Sequence, residues 1–169
     1  MFTRPNALSD ATILEVVADL WCIGADRAEY APVGFGSHHW LVGTAIRWEW
    51  FVTVDDLATK ARSPHEPLDQ PFERLEAAFR TVRDLADAGC DFVLAPDLSQ
   101  HGSVVHRLDE RYTVACFPYL DGLTGEDGRF RSHQDRRAVA AHLVDLHRPD
   151  RTVAPRCRVE DFELSNRTE

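Results

Sequence analysis

The sequence predicts an α+β domain with a five-stranded antiparallel sheet, one long helix inserted after its third strand, and a further helix at each end. Three observations carry that prediction. Gly34 and Gly36 interrupt two extended runs. The run 49–56, EWFVTVDD, concentrates aromatic and β-branched residues. Residues 71–89 carry Phe72, Leu75, Phe79, Val82 and Ala86 as one apolar stripe at helical spacing.

The elements follow in order. Residues 9–22 form a capped amphipathic helix: Ser9 starts it, Ile13, Val16, Val17 and Leu20 share one side, and Gly24 follows its end. It is expected to pack on the outer face of the sheet or to precede it as a flap. Residues 28–33 and 39–42 read as strands joined by the glycine loop, 43–47 as a turn, and 49–56 as a third strand closed by Asp55 and Asp56. After the loop 63–67, Asp69 caps the long helix, with Pro71 in its first turn. Residues 103–108 and 112–118 are two more strands around the turn 109–111, and 117–122 form an elbow. A linker over 122–131 leads to a helix over 132–146, begun by Ser132 and Asp135, with Val139, Leu143 and Leu146 on one face.

A strand, glycine loop, strand unit lets backbone N–H groups approach phosphate oxygens with no Cβ in the way. A lone pair of glycines is also what an ordinary hairpin with a glycine bulge contains, so the loop acquires meaning from its context. His38, placed at the loop's tip, is either an imidazole for phosphate or a solvent-facing turn residue.

Three strands with a glycine loop between the first two, a helix, two strands and an elbow: this order resembles the small nucleotide-binding lobe of the aminoglycoside phosphotransferases, the antibiotic-kinase branch of the protein-kinase fold. The resemblance runs from about residue 28 to the end. It implies an N-terminal helical segment over 1–27, a kinase-like lobe with its hinge over 28–122, and a linker with the first helix of a second lobe over 123–169. It further implies ATP and magnesium as cofactors and transfer of the ATP γ-phosphate to a substrate hydroxyl. Carried over residue by residue, Gly34, Gly36, Ser37 and His38 match the loop over the phosphates, Glu73 or Glu76 (Glu76 the preferred match) the helix acid, and Phe117, Tyr119 and Leu120 the hinge that holds adenine. Pro118 has no N–H, so an adenine donor must come from Tyr119 or Leu120.

Three departures accompany the matches. The strand lysine of that family, which pairs with the helix acid and holds the α and β phosphates, is replaced by Thr53, an uncharged hydroxyl. The chain's only lysine, Lys60, lies just past that strand, either displaced toward the phosphates or a solvated loop residue. The family's catalytic loop is missing as well: His101-Gly102-Ser103, His147-Arg148-Pro149-Asp150 and Asp161-Phe162-Glu163 each fail on residue type or spacing. No catalytic residue is therefore assigned. Finally, 159–164 resembles a segment that in the family leads into a helix before the catalytic loop, and the sequence ends close behind it. The reading is a truncated or split lobe, inactive alone, whose partner is a chain carrying the missing lobe or a second copy of itself.

Composition fits a folded domain. The 169 residues are 44% hydrophobic and 28% charged, enough to bury a sizeable core. A net charge of -9 argues against nucleic acid or an anionic membrane as partner, and no apolar run reaches spanning length. With no secretory leader and four scattered cysteines, Cys22, Cys90, Cys116 and Cys157, that read as reduced thiols, the expected location is the cytoplasm. The histidines lack ligand spacing, so no metal site is assigned.

Two function classes follow. One is a small-molecule kinase lobe. The other is a pseudokinase-like nucleotide-binding or protein-interaction module, whose open surface would include Tyr119, Leu120, Leu143 and Leu146. A generic α+β fold, with 34–37 not between adjacent antiparallel strands, would displace both.

Overall fold

The computed structural model describes residues 3–122 and 132–147. The linker over 123–131, the motif at 148–150 and the segments around 159–164 lie outside the described residues.

Helix α1 (Asp10–Trp21) starts where the Ser9 hydroxyl accepts the Thr12 N–H at 3.0 Å, as its sequence predicts. Its end differs from expectation: the left-handed residue is Cys22, at φ 57°, and not Gly24. The Cys22 N–H donates to the Ala18 carbonyl at 3.0 Å and the Ile23 N–H to Val17 at 3.3 Å, so orphaned helix carbonyls are met at that position. Strands β1 (Arg27–Ala31), β2 (His38–Gly43), β3 (Trp48–Asp56), β4 (His106–Arg107) and β5 (Tyr112–Pro118) form one antiparallel sheet in the order β1-β2-β3-β5-β4. Residues 34–37 join two adjacent antiparallel strands, which removes the generic alternative's defining feature.

Alternation along the strands builds two unlike faces. Trp40, Val42, Val52, Val54, Val114 and Cys116 point to one side and are completely buried, together with Ile13 and Val17 of α1. The Trp40 indole N–H donates to the Asp10 carboxylate at 2.9 Å, so α1 is fixed to the sheet as a packed layer. On the other side lies helix α3 (Asp69–Asp87), whose Phe72, Leu75 and Phe79 pack with Phe117 over Val104, Val105 and Ala115. Asp69 does not cap α3. The cap position is Leu68, without a side-chain bond, and the Asp69 carboxylate instead takes the Arg107 guanidinium at 2.6 Å.

Two further elements depart from the sequence reading. A single helical turn, α2 (Leu57–Lys60), follows β3 directly because the Asp56 carboxylate accepts the Ala58 N–H at 3.1 Å. The strand expected over 103–108 shrinks to β4. Just before it, the Ser99 hydroxyl accepts the N–H groups of His101 and Ser103, both at 3.2 Å, so that backbone serves a side-chain-capped turn and not the ladder. Helix α4 (His133–Leu146) has its Ser132 cap as expected and contains no buried residue; the His142 ring stacks on Phe92 at 4.4 Å.

Candidate nucleotide site

The site is built on the α3 side of the sheet by strand parity. The register sets His39 opposite Thr53 and Leu41 opposite Phe51, so alternate residues of β2 and β3 share this face. One step earlier Ser37 meets Asp55: its hydroxyl donates to Asp55 Oδ1 at 2.5 Å. A polar row, Ser37, His39, Thr53 and Asp55, therefore runs beneath the glycine loop.

The loop demands its glycines. Gly34 and Gly36 have φ values of 73° and 83°, where an L side chain is strained. A Cβ on Gly34 would lie 3.1 Å from His39 Nε2, and one on Gly36 would lie 3.5 Å from Lys60 Nζ. The loop's underside is thus occupied by an imidazole and an ammonium. Phe35, at the tip, is 89% exposed.

Lys60 reaches this place because α2 turns the chain back immediately after β3. Its Nζ lies 2.9 Å from Asp55 Oδ1 and 3.3 Å from Ser37 Oγ. The Asp55 side chain is 3% exposed and that of Lys60 33%, so a buried carboxylate anchors an ammonium that still meets solvent. Of the two readings of Lys60, that of a solvated loop residue fails: the residue is on a helical turn and is held by two side chains. Its carbonyl also accepts the Arg74 guanidinium at 3.1 Å, while Arg74 pairs with Glu66 at 2.5 Å. That pairing holds the Glu66 carboxyl down to about 2.

His39 stacks on Phe51, with ring centroids 4.8 Å apart and 25° between planes, and its Nδ1 lies 3.2 Å from Thr53 Oγ1. Burial pushes its imidazole down to about 4, against the pull of Asp55, so the ring is neutral at physiological pH. The histidine beneath the loop is therefore His39. His38 begins β2 with opposite parity, and its ring sits on the α1 side, 3.3 Å from the Tyr30 hydroxyl and edge-on to Tyr112.

Asp55 and Asp56 diverge for the same reason. Asp56 binds Arg111 at 2.9 and 2.5 Å, and Arg111 is the main cause of its lowered carboxyl pKa. Neither aspartate merely terminates the strand. Glu76, half-buried on α3, forms no ion pair among the described residues, and its field falls on His106. No hydrogen bond joins it to Thr53 among the described residues, where the Thr53 hydroxyl meets His39, and Glu73 is exposed.

At the elbow, Phe117 packs edge-on against Phe79 with centroids 5.5 Å apart. The Tyr119 N–H donates to the Glu49 carbonyl at 2.9 Å and is committed to the sheet. Leu120, 67% exposed, follows it with an N–H that has no partner among the described residues. The structure brings Gly34, Gly36, Ser37 and Thr53 of the expected set together with His39 and Asp55, two neighbours that the sequence reading did not single out. The available signal was parity: a strand residue two places from Thr53 must share its face.

The donors suit an anion. One ammonium and one neutral imidazole lie against two loop positions that carry no Cβ, donor chemistry of the kind an anion such as a phosphate needs. They do not suit magnesium: Asp55 is the one acid in the row and is already paired, and among the described residues no three His, Cys, Asp or Glu side chains converge as for a metal ion.

No family model matches the chain, and no curated protein matches it in sequence. Among solved structures, spectinomycin phosphotransferase APH(9)-Ia, determined in complex with ADP and spectinomycin, is similar with a TM-score of 0.65 at 12% sequence identity. The match covers 90% of this chain and 42% of that one. At that identity the likeness is one of fold, and the fold is that of a kinase-like aminoglycoside phosphotransferase over somewhat less than half of its length.

Proposed function

We propose that this chain is the nucleotide-binding lobe of a small-molecule phosphotransferase, taking ATP with its phosphates at the loop 34–37, within reach of Lys60 and His39, and its adenine against the hinge. The observation that carries the reading is the convergence of Lys60 and His39 under two left-handed glycines, on the sheet face that α3 covers. Leu120 supplies the adenine donor, since the Tyr119 N–H is taken. Kinase-like transfer depends on positioning and on stabilising developing charge, and also on a base and a metal-binding aspartate. Neither group has a counterpart in these 169 residues. The lobe therefore binds nucleotide, and transfer to an aminocyclitol-type hydroxyl awaits groups from a second lobe. Bound ATP would supply the electrophilic γ-phosphorus; the residues here hold and orient its phosphates and keep water from the sheet face.

Calorimetric titration with ATP, repeated on Gly36→Asp, tests this reading. Saturable binding by the unmodified chain, lost in the variant, is expected, because the new carboxylate would sit beside Lys60 at a φ only glycine takes easily. At a hundredfold excess over Kd, binding should contribute about 2.7 kcal/mol. For a chain of this size that raises Tm by roughly 5–10 °C. No binding at millimolar ATP would leave the protein-interaction alternative, which the exposed Val139, Leu143 and Val144 of α4 favour.

A further inference from the structure

The geometry points to a split replacement for the missing strand lysine: Lys60, from α2, supplies the charge for the nucleotide's phosphates, and His39, oriented by Thr53, supplies a neutral N–H donor beside it. This inference rests on the nucleotide reading above and names the residues that would do its binding.

Position carries the argument first. Thr53 stands where the fold's strand lysine is expected, and a hydroxyl at that place cannot reach past the ring that covers it: His39 Nδ1 is 3.2 Å from Thr53 Oγ1. The other ring nitrogen, Nε2, is what faces the loop, 3.1 Å from the position of a Gly34 Cβ. We take the tautomer in which the Thr53 hydroxyl donates to Nδ1, which puts the ring proton on Nε2, toward the loop's underside. Thr53 then acts as a positioning residue, and the phosphate contact belongs to His39.

Charge completes it. A neutral donor cannot balance a triphosphate, and the chain has one lysine. That lysine's Nζ lies beneath Gly36, where a Cβ would be 3.5 Å away, and Asp55 and Ser37 hold it there at 2.9 and 3.3 Å. In the resembled lobe a helix glutamate orients the strand lysine; here the orienting acid is Asp55, on the strand itself, and the helix glutamate, Glu76, is unused in the site. A salt bridge would hold Lys60 equally well with no ligand in view. That alternative predicts a stability role and no dependence on phosphate.

The experiment separates the two with adenosine, ADP, ATP and inorganic tripolyphosphate, titrated calorimetrically against the unmodified chain, Lys60→Gln, the double variant Lys60→Gln/Asp55→Asn, Thr53→Val and His39→Phe. The double variant removes the carboxylate that Lys60→Gln alone would leave buried and uncompensated, so it guards against misfolding. The expected result is that both Lys60 variants lose ATP and tripolyphosphate affinity roughly ten- to hundredfold while adenosine affinity is unchanged. Thr53→Val and His39→Phe should each lose a smaller factor, again confined to the phosphate-bearing ligands. ATP affinity unaffected by Lys60→Gln, or an equal loss for adenosine, overturns the inference while leaving nucleotide binding intact. Absence of binding by the unmodified chain overturns both.

Discussion

The two faces of this sheet are made from the same strands by alternate residues, yet they differ in kind. Toward α1, β2 and β3 present Trp40, Val42, Val52 and Val54, all completely buried. Toward α3 the same strands present Ser37, His39, Thr53 and Asp55, threaded with hydrogen bonds and covered in part by a glycine loop. One face is the source of cohesion. The other spends some of that cohesion holding polar groups out of water, an arrangement that stability alone would not select.

The largest test of this contrast is on the α1 side. Trp40→Ala empties the centre of the dry layer and breaks the bond to Asp10, so it should cost about 3–5 kcal/mol, read from urea unfolding. A loss under ~1 kcal/mol would mean that the face is not the core. Next, Lys60→Gln leaves the Asp55 carboxylate buried with the Ser37 hydroxyl; since Lys60 is a third exposed, the cost should be about 1–2 kcal/mol, recovered in the double variant with Asp55→Asn. If the double variant is no more stable than the single one, the pair is not what burial makes it.

Acid titration sharpens the comparison. The folded His39 ring is pushed down to about 4 from an ordinary value near 6.5, so between those pH values the unfolded chain binds the proton and the folded chain does not. Stability from this group is fully present above about pH 6.5 and is lost as pH falls toward 4. On the order of 1–3 kcal/mol is at stake. His39→Phe should flatten the pH 4 to 6.5 limb of the unfolding curve; an unchanged slope would assign that limb to other histidines. The smallest effect is expected at Phe35→Ser, at the exposed loop tip, within about 0.5 kcal/mol. A larger loss there would mean that the loop tip contributes to the fold beyond what its exposure suggests.

The chain order of the elements, the glycine loop between adjacent antiparallel strands and the apolar stripe of α3 could all be read in the sequence, because each depends on local pattern. The rest required register. His38 and His39 are indistinguishable in a sequence window; pairing of His39 with Thr53 decides which ring lies under the loop. The place of Lys60 cannot be read locally, because the turn that carries it is four residues long and owes its start to one carboxylate, Asp56. The strand over 103–108 was overextended because its residues look β-forming, while the Ser99 side chain captures the backbone just before it.

The bond from the Tyr119 N–H to the Glu49 carbonyl has a mechanical consequence. It extends the sheet's rigid frame one residue past β5 and welds the exit of the lobe to the entrance of β3. Any change of angle between this lobe and whatever follows must then be absorbed from Leu120 onward, through Asp121 and Gly122. On the proposed reading the pivot would begin at the residue whose N–H would meet adenine, so that gripping the base and setting the hinge would be a single act.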